Sequence, residues 1–401
     1  MLGRTTLILF LSVALLGGFI WWVERKTEST AKQQEWARQA IRMDPDKISK
    51  LSIVSEDVQM VCEKTDQHWL ITSPVKTRAD EGEIESFLNE LSYLPRHEVI
   101  TAGQQQKKRL ARQDYGLDAP RVKIVLEDAQ RKTTLLIGRN APLGSSLYMM
   151  VEEQGDMVVT DTNFLSKLPH AVVDWRDRRV FRGFPGAVTR LEVRRTDGYV
   201  QLAKAQPDHW MIHKPIVTRA SQETAQKMLE ELFDVKIEEF VADTFAAASL
   251  YGLDEPVAQV SLTTTEESAE QGLLLGKSVE KQTNLVYATW PGSEAVFAVK
   301  QDILSTLKFK IEDVRDRRLL TLSAYDVGSV KLEEGERSLR LQRDQQGAWE
   351  VTEPKRYKAD EERVNMLLGE WLGARIETFL DDAGTNAAEW GFDAPKRAVT
   401  F

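Results

Sequence analysis

The sequence predicts an α+β protein in which an N-terminal transmembrane helix precedes tandem repeats of an antiparallel-sheet-plus-helix unit of about 139 residues. Three sequence markers recur in the same order with nearly the same period. Residues 5–23 carry no charged side chain. Within each repeat, short runs of alternating apolar residues are separate from a run with helical spacing, which is typical of segregated strands and helices.

The composition is that of a folded protein. Of the 401 residues, 29% are charged and 42% are hydrophobic, which disfavours intrinsic disorder, a collagen-like chain and a multi-span membrane protein. The net charge of −9 argues against general affinity for nucleic acid or anionic lipid. Cys62 is the single cysteine, so an internal disulfide and a cysteine metal cage are excluded.

Residues 1–23 are predicted to form a transmembrane signal anchor. The uncharged run has nineteen residues and ends with Trp21, Trp22 and Val23. About 20 apolar residues cross a bilayer as a helix, and indoles favour the membrane interface. A cleaved signal peptide is the alternative, but it requires small residues before the cut, and bulky side chains end this run. We therefore expect an uncleaved anchor, followed by a polar helical stalk at residues 24–45.

The sequence supports two orientations for this anchor. Basic residues beyond the apolar run outnumber those before it, which favours a cytoplasmic body under the positive-inside rule. Anchors with very short N-terminal tails, in contrast, commonly export the domain that follows. We expect the large domain to lie on the extracytoplasmic side of the membrane. The excess of basic residues beyond the apolar run argues against this orientation.

Three markers define the repeats. The segment HWLITSPVKTRAD from His68 recurs as HWMIHKPIVTRAS from His209 and as AWEVTEPKRYKAD from Ala348. YGLDAP, YGLDEP and WGFDAP follow in the same order, and RDRR occurs twice, 139 residues apart. This period makes each repeat the size of a small domain rather than a solenoid module. The marker residues are Trp69, Pro74, Tyr115, Gly116 and Pro120, then Trp210, Pro215, Tyr251, Gly252 and Pro256, then Trp349, Pro354, Trp390, Gly391 and Pro395.

The repeats are predicted to occupy residues 46–185, 186–324 and 325–401. The third has 77 residues and lacks the half that carries the L-L-I-G strand and RDRR. We expect the chain to be truncated there, because an unprotected sheet edge favours aggregation. An open edge that receives a partner is the alternative.

Each repeat is predicted to open with an antiparallel meander, at residues 50–55, 58–64 and 69–72 of the first repeat. Pro74 ends this ladder because proline donates no hydrogen bond. Asp80 then caps a helix, as Ser221 and Asp360 do in the other repeats. The apolar face of the first helix is Ile84, Phe87, Leu88, Leu91 and Leu94. Further strands of the first repeat are predicted at residues 122–126, 134–137, 147–151 and 157–160, and a short helix at residues 163–168.

The Y-G-L-D-x-P marker is predicted to end a helix. Its glycine fits the left-handed position of a Schellman cap, and the next residue fits the apolar contact of that cap. The proline prevents the helix from resuming and leads into a strand.

The combination of the anchor, W-x-[IV]-x-x-P-x-x-x-[RK]-A, Y-G-L-D-x-P, an L-[LI]-[IL]-G strand and R-D-[RK] resembles a bacterial domain-of-unknown-function family, number 4340, over residues 46–401. The resemblance implies a single-pass envelope protein of the bacterial inner membrane, often encoded beside ABC-transporter subunits of the gliding-motility type. It supplies no catalytic residues. The missing half of the third repeat departs from the family pattern.

The motif search predicts no catalytic residue, no cofactor and no metal site. The sequence contains no G-x-G-x-x-G, Walker A, G-x-S-x-G or H-E-x-x-H motif. His68 and His209 share a repeat position that Ala348 occupies in the third repeat, so we interpret them as strand-edge residues. The signature tryptophans could stack on sugars, but a repeated tryptophan in an alternating strand favours core packing.

The RDRR segments are the candidate contacts for an anion or a partner, because guanidinium groups bind phosphate and carboxylate. In the other interpretation, Asp177 and Asp316 pair with neighbouring arginines while each segment joins one repeat to the next. The position of the segments at the repeat boundaries favours this second interpretation. A second basic position is shared by the repeats and precedes the helix of each one. We expect its side chain to form an ion pair that supports the strand–helix turn. The residues at this position are Arg78, Arg219 and Lys358. The RDRR candidates are Arg176, Arg178, Arg179, Arg315, Arg317 and Arg318.

We therefore expect a non-catalytic, membrane-anchored scaffold or accessory subunit of an ABC-type transport or gliding-motility-like envelope complex. Its partners would be the membrane and other subunits of that complex, and not nucleic acid. An envelope module that binds polysaccharide or peptidoglycan is the alternative. A hydrolase with a site between repeats is the third possibility.

Overall fold

The structure, a computed structural model, describes residues 38–142, 144–206, 209–245, 247–265, 270–380 and 390–401, with Gly3, Gly17, Gly18 and Ala388 as single residues. Nearly all of the predicted anchor and most of the predicted stalk lie outside the described residues. In the described part of the chain, we find no helix with the length and apolar character that crossing a membrane requires. The chain divides into two compact units, Met1–Arg178 and Arg179–Phe401.

The first unit contains a nine-stranded antiparallel sheet and two α-helices in its described residues. The helices are α1 (Glu81–Ser92) and α2 (Ala102–Lys108). The strands are β1 (Lys50–Ser55), β2 (Gln59–Thr65), β3 (His68–Ser73), β4 (Thr77–Arg78), β5 (Glu98–Ile100), β6 (Val122–Glu127), β7 (Lys132–Asn140), β8 (Ser146–Val151) and β9 (Met157–Asp161). Their order in the sheet is β4-β3-β2-β1-β6-β7-β8-β9-β5.

One face of this sheet packs against α1. Asp80 begins the helix by accepting hydrogen bonds from the backbone N–H groups of Gly82 and Glu83, as expected of an N-cap. The predicted apolar face of the helix is buried in the same core as alternate residues of the strands. Leu51 of β1 lies opposite Leu126 of β6, so the meander and the second half of the repeat form one continuous sheet.

The opposite face of β7, β8 and β9 has its own smaller core. Leu136 and Met150 belong to it, whereas their chain neighbours Leu135 and Met149 face α1, because successive strand residues point to opposite faces. Leu117 of the Y-G-L-D marker packs into this second core. The marker therefore covers the face of the sheet that α1 leaves open.

Residues 38–44, the described end of the predicted stalk, do not form the polar helix that the sequence predicts. Ala40, Ile41 and Met43 are not helical, and all three are buried in the core of the first unit. The N–H of Ala40 donates to the carbonyl of Leu94, just beyond α1. Ala40, Ile41 and Met43 thus belong to the core of the first unit. The polar composition of residues 24–45 did not indicate that these residues are buried.

The second unit begins with a sheet of the same strand order as the first. Its strands are β10 (Val188–Arg195), β11 (Gly198–Gln206), β12 (His209–Lys214), β13 (Thr218–Arg219), β14 (Ile237–Ala242), β15 (Ala258–Thr264), β16 (Gln271–Val279), β17 (Gln282–Thr289) and β18 (Val296–Lys300). Their order in the sheet is β13-β12-β11-β10-β15-β16-β17-β18-β14. Its helices are α3 (Gln222–Asp234), α4 (Asp302–Leu307) and α5 (Ile311–Val314). Ser221 caps α3 through the N–H of Thr224.

The same unit contains a five-stranded sheet in its described residues. Its strands are β19 (Ser329–Glu334), β20 (Arg337–Arg343), β21 (Trp349–Glu353), β22 (Tyr357–Lys358) and β23 (Arg397–Thr400), and its helix is α6 (Glu361–Leu372). The strands are ordered β22-β21-β20-β19-β23. Asp360 caps α6 through the N–H of Arg363. The chain is therefore α+β, with repeated antiparallel sheets and helices.

Candidate functional site

The second RDRR segment, residues 315–318, connects the second repeat to the third. On one side, Arg315 forms a β-bridge with Ala220, and the N–H of Asp316 donates to the carbonyl of Arg219 at 3.0 Å. On the other side, Arg318 forms a bridge with Arg375. The backbone of the segment thus pairs with both repeats within the second unit.

The side chains of Arg315 and Arg317 strengthen this connection. The Arg315 guanidinium lies 3.6 Å from the ring centroid of Phe379, a close cation–π contact. Arg317 Nη1 donates to the carbonyls of Ile376 and Glu377 at 3.0 and 2.7 Å. These two candidate residues are therefore engaged by the third repeat.

Asp316 is the centre of a charged network. Its side chain is 5% exposed and accepts from Arg318 Nε and Nη2 at 3.0 and 2.9 Å, and Arg219 Nε lies 4.0 Å away. Burial raises the pKa of Asp316, but the hydrogen bonds from Arg318 and the charges of Arg318 and Arg219 outweigh it, so that the pKa lies below its ordinary value. Asp316 is therefore a carboxylate over the physiological pH range.

The first RDRR segment, residues 176–179, shows the same backbone pattern. Arg176 is buried and forms a bridge with Ala79 in the first unit, while Arg179 forms a bridge with Lys236 in the second unit. Arg178 and Arg179 are exposed side chains. The division between the compact units thus falls inside RDRR, upstream of the boundary at residue 185 that the sequence suggests.

The glycine and proline markers adopt the expected local structure. Gly116, Gly252 and Gly391 have φ values of 71, 66 and 73°. In the first repeat the N–H of Leu117 donates to the carbonyl of Arg112, which is the longer bond of a Schellman cap. The preceding helix is a short 3₁₀ helix, Arg112–Tyr115, rather than an α-helix. One set of marker prolines follows cis peptide bonds: Pro74, Pro215 and Pro354. The other set precedes strands β6, β15 and β23: Pro120, Pro256 and Pro395.

The signature tryptophans are core residues with one unusual feature. Trp69, Trp210 and Trp349 are at most 2% exposed, and among the described residues their indole N–H groups have no hydrogen-bond acceptor. A cation from the neighbouring strand lies over each ring; these cations are Lys64, Lys204 and Arg343. The sequence indicated the buried rings but not their cationic partners.

The aromatic residues of the Y-G-L-D-x-P marker differ between repeats. Tyr115 contacts Tyr148 edge to face with ring centroids 4.6 Å apart, and Tyr251 contacts Tyr287 in the same way at 5.0 Å. Trp390, in the third repeat, is 50% exposed. The two paired tyrosines of each full repeat thus form a recurring aromatic feature on the outer face of the sheet.

A cavity of about 290 Å³ lies beside the second RDRR segment. Its wall includes Trp210 of β12, Arg219 of β13, and Asp316 and Arg318 of the charged network. Gln222, the first residue of α3, completes the polar lining, and its Oε1 atom is buried without a hydrogen-bond partner among the described residues. Of the six RDRR candidates, only Arg318 lines this cavity.

The cavity has a different counterpart in the first repeat. There, Glu81 takes the place of Gln222, and its Oε1 atom lies 2.8 Å from Nδ1 of His68, the equivalent of His209. The sequence drew attention to the positions of His209 and Arg219 separately. His209 and Arg219 line one cavity with Trp210 and Arg318 because the tertiary fold brings residues about a hundred positions apart together. No local sequence pattern indicated this arrangement.

The described residues contain no group of three or more His, Cys, Asp or Glu side chains arranged to hold a metal ion. The model of one protein family, the domain of unknown function DUF4340, matches the chain twice, at residues 69–248 and 210–395. These matches begin at Trp69 and Trp210, two of the signature tryptophans. No curated protein and no solved structure matches the chain significantly. Since the two matches cover most of the chain, this protein belongs to the DUF4340 family.

Proposed function

We propose that this chain is a non-catalytic scaffold, anchored by a single pass in the bacterial inner membrane, that serves as an accessory subunit of an ABC-type transport or gliding-motility-like envelope complex. The observation that best supports the scaffold role is that the second RDRR segment contacts two successive repeats. Its backbone and the side chains of Arg315 and Arg317 hold two successive repeats together. A protein built to keep its repeats at a fixed spacing is suited to organise other subunits.

The membrane anchor of this proposal rests on the uncharged run at residues 5–23 and the tryptophans at its end. The extracytoplasmic position of the large domain is the orientation expected from the sequence, and the count of basic residues argues against it. The transporter context rests on the family resemblance described from the sequence. The transporter context and the orientation are each tested by a separate measurement.

Co-purification is the direct test of the scaffold role. The full chain, tagged and expressed at its natural level, is extracted from membranes with mild detergent, and the captured proteins are quantified by mass spectrometry. We expect integral membrane subunits and an ATPase of one transporter to be enriched over a control capture with an unrelated single-pass protein. Recovery of the chain without transporter subunits would contradict the proposal.

An Arg317→Ala variant links the test to the structure. It removes the side-chain hydrogen bonds to the carbonyls of Ile376 and Glu377, which loosens the joint between the second and third repeats. We expect weaker capture of the transporter subunits, with membrane insertion unchanged. Lys227→Ala is the matched control, because Lys227 is an exposed residue of α3 whose ion pair with Glu231 lies within one helix.

The orientation requires its own experiment. Fusing alkaline phosphatase or a fluorescent protein that folds only in the cytoplasm to the full chain reports the side of the membrane on which the large domain lies. We expect active phosphatase and no fluorescence. The opposite pattern would show a cytoplasmic domain and would leave the co-purification result to be interpreted on that side.

Binding of envelope polysaccharide is the second candidate, and the paired tyrosines favour it. Aromatic rings stack on sugars, and the Tyr115–Tyr148 and Tyr251–Tyr287 pairs recur in both full repeats. A pull-down of the full chain with purified peptidoglycan tests this reading. Retention that is lost in a Tyr148→Ala/Tyr287→Ala variant would favour glycan binding over the scaffold role.

A further inference from the structure

We propose that the cavity beside Trp210 and the second RDRR segment binds a carboxylate group of a peptide segment, either an acidic side chain or a chain terminus. This binding is separate from the scaffold role, because it concerns one site within the second unit and requires neither the anchor nor a transporter. The charge, the hydrogen-bonding groups, the comparison between repeats and the size of the cavity support it.

The charge of the lining favours one anion. Arg219 and Arg318 both line the cavity, and among the lining residues that the structure describes Asp316 is the one carboxylate. Asp316 is paired with Arg318 through hydrogen bonds of 2.9–3.1 Å, and Arg219 lies at 4.0 Å from the same carboxylate. Among the described lining residues one arginine charge is therefore in excess, which suits a ligand with one negative charge.

Two buried polar groups at the cavity wall need partners. Trp210 is 2% exposed, its indole N–H is buried, and no described residue accepts a hydrogen bond from it. The side-chain amide of Gln222 stands at the same wall with a buried oxygen that has no donor among the described residues. A buried polar group without a partner is costly. A carboxylate oxygen of the ligand can accept from the indole N–H of Trp210, whereas the Gln222 oxygen is itself an acceptor and requires a donor, such as a peptide N–H of the same ligand.

The repeats supply an internal comparison. In the first repeat, Glu81 places a carboxylate of the chain itself at this position, 2.8 Å from His68. In the second repeat, the equivalent pair is His209 and Gln222, and the side chain is a neutral amide. The second repeat thus keeps the histidine and lacks the carboxylate beside it, so a ligand carboxylate would take the place that Glu81 occupies in the first repeat.

The size of the cavity limits the ligand. Pockets for drug-sized molecules measure about 300–1,000 Å³, and this cavity, of about 290 Å³, is at the lower end. It admits a carboxylate with the few atoms that attach it to a peptide.

The test follows the indole signal of Trp210. The full chain is labelled with ¹⁵N at its tryptophan indoles and held in detergent micelles, and a Trp210→Phe variant assigns the signal. Three probes are titrated at constant ionic strength: N-acetylglycine represents a chain terminus, N-acetylaspartate α-methylamide represents an acidic side chain, and N-acetylglycine methylamide has no carboxylate. We expect a saturable shift of the Trp210 signal with at least one acid, and no shift with the neutral amide. The acid that binds more tightly identifies the source of the carboxylate.

A Gln222→Glu variant tests the comparison between repeats. It restores the residue that stands at this position in the first and third repeats, Glu81 and Glu361, so the fold accommodates it. We expect the affinity for the acid probe to fall at least tenfold, because the variant supplies its own carboxylate. Glu81→Gln, the reverse change in the first repeat, is the matched control and leaves the Trp210 titration unchanged.

Three outcomes would overturn the proposal. The first is an equal shift with the acid and neutral probes. The second is an equal response of all the tryptophan signals, which would indicate a nonspecific effect. The third is unchanged binding in Gln222→Glu, with the remaining indole signals showing that the variant is folded.

Discussion

The backbone carbonyl of Tyr251 lies so close to Gly276 that a Cβ atom on this glycine would be 2.1 Å from the carbonyl oxygen. The first repeat repeats the relationship, with the carbonyl of Tyr115 lying 2.2 Å from a Cβ on Gly138. Two separate sequence signals, Y-G-L-D and the glycine of the L-L-x-G strand, are thus the two sides of one contact. Only glycine allows the marker turn to approach the sheet this closely.

Replacing Gly276 by alanine is predicted to destabilise the second repeat. The added methyl group meets the Tyr251 backbone, which cannot move as a flexible side chain does, and such overpacking costs about 3 kcal/mol. Amide hydrogen exchange in β16 measures the loss. Gly369→Ala is the control, because a Cβ at this exposed position of α6 meets nothing within 4 Å, and alanine stabilises a helix by roughly 0.5–1 kcal/mol relative to glycine. Equal protection of β16 in Gly276→Ala and the wild type would contradict the contact.

The left-handed glycines allow conformational strain to be separated from steric contact. Gly252 and Gly391 both have positive φ, so alanine at either position costs about 1 kcal/mol. A Cβ on Gly252 also meets the backbone nitrogen of Lys277 at 2.9 Å, whereas a Cβ on Gly391 meets no described atom within 4 Å. We expect Gly252→Ala to reduce the unfolding free energy more than Gly391→Ala, as measured by urea denaturation. Equal losses would leave no role for the close approach at Lys277.

Cys62 is predicted to be unreactive while the first unit is folded. Burial raises the pKa of its thiol to about 12, and the thiolate is the reactive form. Iodoacetamide at pH 8 should therefore label the native chain slowly and label it at the rate of a free thiol once urea unfolds the first unit. An added exposed cysteine, Ser145→Cys, should take up one label at once. Rapid labelling of the native wild type would show that Cys62 is accessible.

The same thiol gives a pH dependence. Because the folded pKa is raised above that of the unfolded chain, the stabilising contribution of Cys62 is present below the unfolded value of about 8.5 and is lost as the pH rises towards about 12. We expect a Cys62→Ala variant to show a smaller loss of unfolding free energy than the wild type over this range. Denaturation monitored at pH 8 and pH 10 provides the comparison.

Asp316 is predicted to stabilise the joint between the second and third repeats above pH 4. Its pKa in the folded chain is lowered, because burial is outweighed by the hydrogen bonds from Arg318 and the nearby arginine charges. The stabilisation is thus present above the unfolded value of about 3.9 and is lost as the pH falls through the lower folded value. Asp316→Asn should cost about 2 kcal/mol at pH 7 by removing charge-assisted hydrogen bonds, and should reduce the acid sensitivity.

Denaturation of the wild type and the Asp316→Asn variant at pH 7 and pH 3.5 checks this expectation. Asp326→Asn is the matched control, because the pKa of Asp326 is lowered mainly by its hydrogen bonds with Ser323, away from the arginines. If the Asp316→Asn variant is as stable as the wild type at pH 7, the Asp316 carboxylate does not stabilise the joint between the repeats.

Much of the secondary structure was predictable from local pattern. The strand predicted at residues 50–55 is β1, Lys50–Ser55, because alternating apolar residues between turn-forming residues define a half-buried strand. The cap positions Asp80, Ser221 and Asp360 begin the three long helices, since a carboxylate or hydroxyl oxygen satisfies the first free N–H groups. These features depend on residues a few positions apart.

Other elements were missed because their local signals are weak. β5 has three residues, and it is a strand because it pairs with β9, far along the chain. Helix α2 contains glycine and a run of polar residues and buries none of them. Ile41 belongs to the first core although its surroundings are polar. In each case tertiary pairing or burial decides the structure, and the sequence pattern does not.

The candidate site divides in the same way. By itself the sequence determined the repeats, their period, the caps and the arginine segments, because each depends on residues close together or on exact recurrence. The pairing of Asp316 with a neighbouring arginine was one of the two interpretations that the sequence allowed, and the structure identifies that arginine as Arg318. Only the tertiary structure decided that Arg315 and Arg317 contact the third repeat and that Trp210 and Gln222 share a cavity with Arg219 and Arg318. These contacts connect residues up to about a hundred positions apart, and which arginine is used and which borders a cavity is set by the packing of whole sheets.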